Sequence, residues 1–155
     1  MASASIDGYI SLYTMPNFKL YKCFKLNSNK ENNIINNIFI SDSPLPSILI
    51  IIDDEVNLYS INGHHIYYQK EKSAIINPIL IKDFIKNDFF AYIIDKKHIY
   101  IRNISNYHLV SNIEIDREIV YLIPNENNKV LFAINKDGTE INSIFCENKK
   151  IIKEK

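Results

Sequence analysis

From Ser47 to Ile52 the chain reads SILIII, with no polar alternation; an acidic turn follows at Asp53-Asp54, then Val56 to Ile61, where apolar and polar residues interleave. A short apolar run bounded by turn residues predicts a strand covered on both faces, and Val56 to Ile61 is read as the next strand. Ile38 to Ile40 predicts a strand before this pair. Asn62-Gly63 is a tight-turn dipeptide, and His64 to Lys72 becomes steadily more polar, as an outer strand does. The same four-part succession returns at Ile75–Phe84, Asp88–Ile94, His98–Ile104 and Tyr107–Ile115, and again at Ile119–Ile123, Lys129–Ile134, Thr139–Phe145 and Lys150–Lys153. At the amino end only three parts are legible: the tail of a strand before Asp7-Gly8, then Tyr9–Met15, then Phe18–Leu26 after a Pro16-Asn17 turn. In that last strand Phe18, Leu20, Phe24 and Leu26 are expected on one side, Lys19 and Lys25 on the other. Asn27 to Asn37 lacks periodicity and is read as a loop.

The marker Asp of the charged turn stands at 7, 53, 95 and 137, at intervals of 46, 42 and 42. A period of that size made only of strands is the signature of β-propeller blades. The expected fold is all-β: a partial, open β-propeller of about 3.5 four-stranded antiparallel WD-repeat-like blades. It is read as one domain, with blades over 1–26 (incomplete), 38–72, 75–115 and 118–155 and a loop over 27–37. The four Asp are expected between the second and third strands of their blades, and Ile50, Ile52, Phe90, Ile93 and Leu131 on covered middle strands. An open arc leaves blade faces uncovered. The expectation is therefore a piece of a longer propeller, a truncated product, or a chain that depends on a partner or associates with itself.

Composition supports the strand reading: Ile fills 31 of 155 positions, with 10 Tyr and 8 Phe, so β-branched and aromatic residues dominate. The 18 basic and 18 acidic residues cancel, which leaves no global field to steer the chain to nucleic acid. Cys23 and Cys146 are far apart, without metal-ligand spacing, and are expected to be two buried thiols. The start MASASIDGYI has no basic n-region or apolar h-region, and no apolar run is long enough to span a bilayer, so a reducing, cytoplasmic setting is expected.

Candidate chemistry is sparse. His64-His65 are adjacent on an expected strand and point to opposite faces, so they cannot share a metal. Asp53-Asp54-Glu55 and Asp137-Gly138 lack the oxygen-ligand spacing of a calcium loop and read as solvated turns. No G-x-S-x-G elbow or phosphate-cradling glycine loop occurs. Asp83 is the one acid expected on an inner strand. Tyr67, Tyr68, Tyr92, Tyr100 and Tyr107 form a candidate aromatic surface beside the ordinary packing role of strand tyrosines, and Lys149, Lys150, Lys153 and Lys155 read equally as a basic tail on anionic lipid or a frayed outer strand. No catalytic, cofactor-binding or metal residue is assigned, and no cofactor.

Three segments, SIDGYISLYTMPNFKL, DSPLPSILIIIDDEVNLYSINGHHI and INPILIKDF, resemble in order the carboxy-terminal WD-repeat propeller of BEACH-domain proteins, the beige and neurobeachin family, across roughly residues 5 to 105. VNLYSING, Val56 to Gly63, is the most specific element. The chain has no Trp; Tyr13-Thr14, Tyr59-Ser60 and Arg102-Asn103 stand where a WD repeat carries Trp-Asp, and the BEACH domain is absent. The resemblance implies a non-catalytic protein-interaction scaffold in membrane and vesicle trafficking or lysosome-related organelle biology. Its partners would be other proteins or the rest of a longer propeller, with peripheral membrane association and self-association also open. The alternative is a ligand-binding or enzymatic propeller using its central channel.

Overall fold

The computed structural model describes residues 1–26, 34–42, 44–82, 88–125, 130–138, 141–147 and 150–154. Among them are fifteen strands and no helix. The strands form four antiparallel sheets, each a meander in chain order. The chain divides into two compact units, Met1–Ser73 and Ala74–Lys155.

In the first unit, β1 (Ala2–Ala4), β2 (Tyr9–Thr14) and β3 (Lys19–Lys25) make one sheet. β4 (Asn37–Ser41), β5 (Ser47–Ile52), β6 (Glu55–Ser60) and β7 (His65–Lys70) make the other. β5 is buried from end to end, the environment its unalternating sequence demands. Ile48, Ile50 and Ile52 on one of its faces pack with Tyr59 against Ile10, Leu12, Phe24 and Leu26 of the first sheet. Each such side chain withdrawn from water contributes roughly 1.5–3 kcal/mol.

The second unit holds β8 (Ile76–Ile81), β9 (Phe89–Ile94), β10 (His98–Asn103) and β11 (Leu109–Glu114), then β12 (Ile119–Pro124), β13 (Val130–Asn135), β14 (Ile141–Glu147) and β15 (Lys150–Glu154). Its core sets Ala91, Ile93, Ile99 and Ile101 against Ile119, Leu122, Leu131, Ala133 and Ile144. A polar tie crosses the same pair of sheets. Asn77 takes a left-handed conformation (φ 45°), and with Pro78 it bulges β8, since Ile76 and Ile79 pair with Ile93 and Ala91. Proline cannot donate to a ladder, so a bulge is where a strand tolerates it. The Asn77 side chain then accepts a hydrogen bond from the Leu122 backbone N–H at 2.6 Å.

Repeat equivalence is visible in backbone hydrogen bonds. In three of the sheets the N–H just after the outer strand returns to the turn that carries the marker Asp: Leu26 to the Gly8 carbonyl, Glu71 to Asp54, Ile115 to Lys97, at 2.8, 2.8 and 2.9 Å. By that correspondence β1, β2 and β3 are second, third and fourth strands, and all four marker Asp lie between second and third strands. Their backbones differ in kind. Asp53 and Asp95 adopt left-handed φ themselves, both at 53°, whereas Asp7 and Asp137 pass that role to Gly8 and Gly138, at 84° and 67°.

Gly63 takes up the same conformation (φ 83°) in the turn between β6 and β7, its N–H donating to Ser60 at 2.9 Å. A Cβ there would lie 2.9 Å from the Phe24 ring, while one on Gly138 would meet nothing within 4 Å. Both substitutions to Ala incur about 1–2 kcal/mol of left-handed strain, but only Gly63→Ala must also displace a core ring. Gly63→Ala is therefore expected to lower the melting temperature more than Gly138→Ala, and thermal melts of the two variants check it.

The outer strands depart from simple alternation. Leu12 and Tyr13 pair with Lys22 and Leu20, leaving Tyr21 as an extra residue. Ile66 is extra opposite Leu58 and Tyr59, and Val110 opposite Ile101 and Arg102. One bulge thus recurs at the same place in three sheets. It breaks the expected one-sided row: Phe18 sits in the hairpin turn with φ 50°, and Phe18 and Leu20 are both solvent-exposed.

Candidate interaction surface

The marker turns are tied down by their own sheets. Asp54 pairs with Lys70 at 3.4 Å, and the Tyr68 hydroxyl is hydrogen-bonded to Glu55, a buried carboxylate. Loss of solvent around the phenol and then the negative Glu55 hold Tyr68 above the ordinary tyrosine range. The Asp53-Asp54-Glu55 trio therefore closes a hairpin and anchors an outer strand. Among the described residues no cluster of three or more His, Cys, Asp or Glu is placed to hold a metal.

His64 precedes β7 instead of lying within it, and its backbone closes the turn with Ser60: the His64 N–H donates to the Ser60 hydroxyl at 3.1 Å, and the His64 carbonyl accepts from the Ser60 N–H at 2.8 Å. His65 opens β7 with its ring 4.9 Å from that of Tyr59. Cys23 is a free, exposed thiol, which corrects the expectation of burial: β3 is exposed along nearly its whole length, and Cys23 points away from the face that Ile10 and Phe24 bury. Asp83, Lys149 and Lys155 lie outside the described residues, as do the Cys146, Lys150 and Lys153 side chains.

VNLYSING has a clear packing role. Tyr59, at the position of a WD-repeat Trp, is buried, with its ring 5.3 Å from Phe24 of the preceding sheet. The Asn62-Gly63 turn lies over the same strand, with the Tyr21 hydroxyl 3.3 Å from the Asn62 side-chain oxygen and the Phe24 ring filling the space a Gly63 Cβ would need. The motif is an inter-sheet clasp.

Three of the five expected aromatic residues converge in the second unit. Phe90, Tyr92, Tyr100 and Arg102 share one face of the sheet, because directly opposed residues point the same way. Arg102 Nε donates to the Tyr92 hydroxyl at 2.7 Å and its Nη1 to the Tyr107 carbonyl at 3.2 Å. The guanidinium lies 4.4 Å from the centre of the Tyr107 ring and 5.5 Å from that of Tyr100. Tyr92 is fully buried and stacks on Phe90 at 4.6 Å. For these three tyrosines the candidate aromatic surface is an internal cation–aromatic cluster, the packing role that tyrosine ordinarily has in strands; Tyr67 and Tyr68 belong to β7 of the first unit. No spacing rule pointed to Arg102, because the pairing that makes the cluster is cross-strand.

The exposed apolar residues are the remaining chemistry. At the β2–β3 hairpin Met15, Phe18, Leu20 and Tyr21 are each more than half exposed, interleaved with Lys19 and Lys22. Ile66 and Val110 repeat the exposed bulge position of Tyr21. A bulged outer edge resists the addition of another strand, so these edges offer side chains more readily than backbone groups.

No protein-family model matches the chain, and no curated protein matches it in sequence. Solved structures do. The chain is similar to BBS1N, crystallised in complex with ARL6DN (14% identity, TM-score 0.70, covering 96% of this chain and 47% of that one). It is also similar to KlHsv2 with loop 6CD replaced by a Gly-Ser linker (12%, TM-score 0.68, 98% and 48%) and to the Pan2 WD40 domain of Neurospora crassa (10%, TM-score 0.61, 97% and 44%). These likenesses establish the fold: the chain is all-β, a partial β-propeller of WD-repeat-like sheets. It spans a little under half the length of the propeller chains it matches.

Proposed function

We propose that this chain is a non-catalytic protein-interaction scaffold, a WD-repeat propeller segment of BEACH type acting in the cytoplasm in membrane and vesicle trafficking or lysosome-related organelle biology. The observation that carries the scaffold reading is the division of labour among the described residues. The Asp53–Glu55 turn, the His65 ring and the Arg102 cluster are engaged within their sheets, while Met15, Phe18, Leu20, Tyr21, Ile66 and Val110 present apolar surface to solvent. Apolar side chains among lysines on a rigid sheet suit side-chain docking of another protein. The BEACH-type assignment rests on the VNLYSING clasp and the order of the three resembling segments. The complex of BBS1N with ARL6DN is an instance of a similar fold bound to a protein.

The test is proximity labelling in cells with the intact chain and with a Phe18→Ser, Leu20→Ser variant. The expected result is enrichment of trafficking-membrane proteins by the intact chain and their loss in the variant. Enrichment that survives the double substitution would move the docking surface elsewhere, and a set without trafficking proteins would overturn the BEACH-type role.

A further inference from the structure

Asn62 is the one asparagine in the chain that is followed by glycine; the other two glycines follow Asp7 and Asp137. The side-chain carbonyl carbon of an asparagine, Cγ, lies within reach of the backbone nitrogen of the next residue, and closure of that five-membered ring is resisted mainly by the next residue's side chain. Gly63 has none. Asn103 and Asn112 both precede isoleucine, whose branched Cβ crowds the same approach.

Three features of the turn bear on that reaction. Asn62 is exposed, so water reaches its amide and ammonia has a way out. The Tyr21 hydroxyl donates to Asn62 Oδ1 at 3.3 Å. That is the atom on which negative charge develops when Cγ is attacked, and a donor aimed at it stabilises the tetrahedral intermediate. The Gly63 N–H is committed to the Ser60 carbonyl at 2.9 Å, which opposes the attack. The opposition is weak, because a single bond in a surface turn opens at low free-energy cost, whereas the ring closure is intramolecular and needs no encounter.

We propose that Asn62 is a self-modification site: its side-chain amide is lost to the Gly63 nitrogen while the Tyr21 hydroxyl holds the developing oxyanion, and the isoaspartyl product releases the clasp between the first two sheets. In the first step the Gly63 nitrogen bonds to Asn62 Cγ, the Cγ–Nδ2 bond breaks, and the proton given up by Gly63 departs with the amide as ammonia. Water then opens the succinimide. Addition at Cγ gives aspartate. Addition at the main-chain carbonyl carbon of residue 62 breaks its bond to the Gly63 nitrogen and routes the chain through Cγ, giving isoaspartate. Water is the only co-reactant.

The two products differ in their effect on the clasp. Aspartate leaves the backbone unchanged and still accepts from Tyr21. Isoaspartate adds a backbone carbon to a turn closed by Gly63 N–H to the Ser60 carbonyl, His64 N–H to the Ser60 hydroxyl and Ser60 N–H to the His64 carbonyl. The lengthened turn has no room to swell toward the first sheet, because the Phe24 ring already lies 2.9 Å from where a Gly63 Cβ would stand. It is displaced outward, away from Tyr21 and from the packed rings of Phe24 and Tyr59. This release does not depend on the trafficking role.

Peptide mapping by mass spectrometry, with electron-transfer fragmentation to separate isoaspartate from aspartate, tests it on the full chain aged at neutral pH. Asn62 is expected to deamidate roughly tenfold or more faster than Asn103 and Asn112, whose neighbours crowd the ring closure. Tyr21→Phe should slow the reaction at Asn62 roughly three- to tenfold, the kinetic worth of one hydrogen bond; a tyrosine that merely restrained the turn would, on removal, speed it. The aged chain should melt roughly 5 °C below the fresh one, in step with its isoaspartate content. Asn62→Gln, which would have to close a six-membered ring, should keep its melting temperature over the same period. Asn62 reacting no faster than Asn103, a Tyr21→Phe rate that is unchanged or higher, or an isoaspartyl chain that melts like the fresh one overturns the proposal.

Discussion

Ile93→Ala is expected to lower stability by about 2–5 kcal/mol, because it removes most of a fully enclosed aliphatic side chain and leaves a cavity that the surrounding sheets cannot close. Ile93 is completely buried and sits in the middle strand of the third sheet, in the core with Ile99, Ile101, Leu122 and Leu131. The strands on both sides of it are hydrogen-bonded at fixed register, so the backbone has little freedom to collapse inward. For a chain of this size such a loss corresponds to a fall in melting temperature of roughly 5–15 °C. His64→Ala is the matched control. His64 is exposed in a turn and its hydrogen bonds there are made by its backbone, which alanine keeps, so the expected change is within about 0.5 kcal/mol. Thermal or urea melts of the two variants read the difference, and equal shifts would mean that the middle strands are not the covered ones.

That contrast follows from what was legible in the chain. The run SILIII predicted a strand buried on both faces and β5 is one, because burial of consecutive residues requires consecutive apolar side chains. The Asp markers were legible for a similar reason, since a hairpin turn needs a residue that tolerates left-handed φ. Local sequence could not show which residue takes it: the Asp itself in two sheets, a following Gly in the others. Bulges were less legible still. Alternation in Phe18–Leu26 presumes regular pairing, and the extra Tyr21 is defined only by the partner strand. Cys23 illustrates the same limit, as its exposure depends on which side of a bulged outer strand meets the core. Asn77-Pro78 falls inside the run Ile75–Phe84, read as one uninterrupted strand, yet it bulges that inner strand and ties it to the neighbouring sheet.

The Arg102 cluster is the sharpest case of non-local chemistry, and its removal is the other large effect expected. Arg102→Met keeps much of the aliphatic stem but deletes the charged donor to a buried phenol and the cation over two rings. Removing a hydrogen bond from a charged group to a buried partner costs about 1–3 kcal/mol, and loss of a desolvated cation–π contact adds about 1–2 kcal/mol. Together the expected destabilisation is roughly 2–5 kcal/mol. Arg102→Lys should recover little of it. The two bonds leave from different nitrogens of one planar fork, Nε to Tyr92 and Nη1 to Tyr107, and an ammonium cannot reproduce that geometry. A double-mutant cycle with Tyr92→Phe isolates the pair. Once the Tyr92 hydroxyl is gone, Arg102→Met should cost about 1–2 kcal/mol less than in the native chain, the rest of its effect surviving as the stack on Tyr107 and Tyr100 and the Nη1 bond to the Tyr107 carbonyl. Coupling near zero in urea melts would show that the guanidinium contributes only through its stack and its bond to Tyr107, and that the 2.7 Å bond to Tyr92 adds nothing beyond what water supplies when the sheet opens.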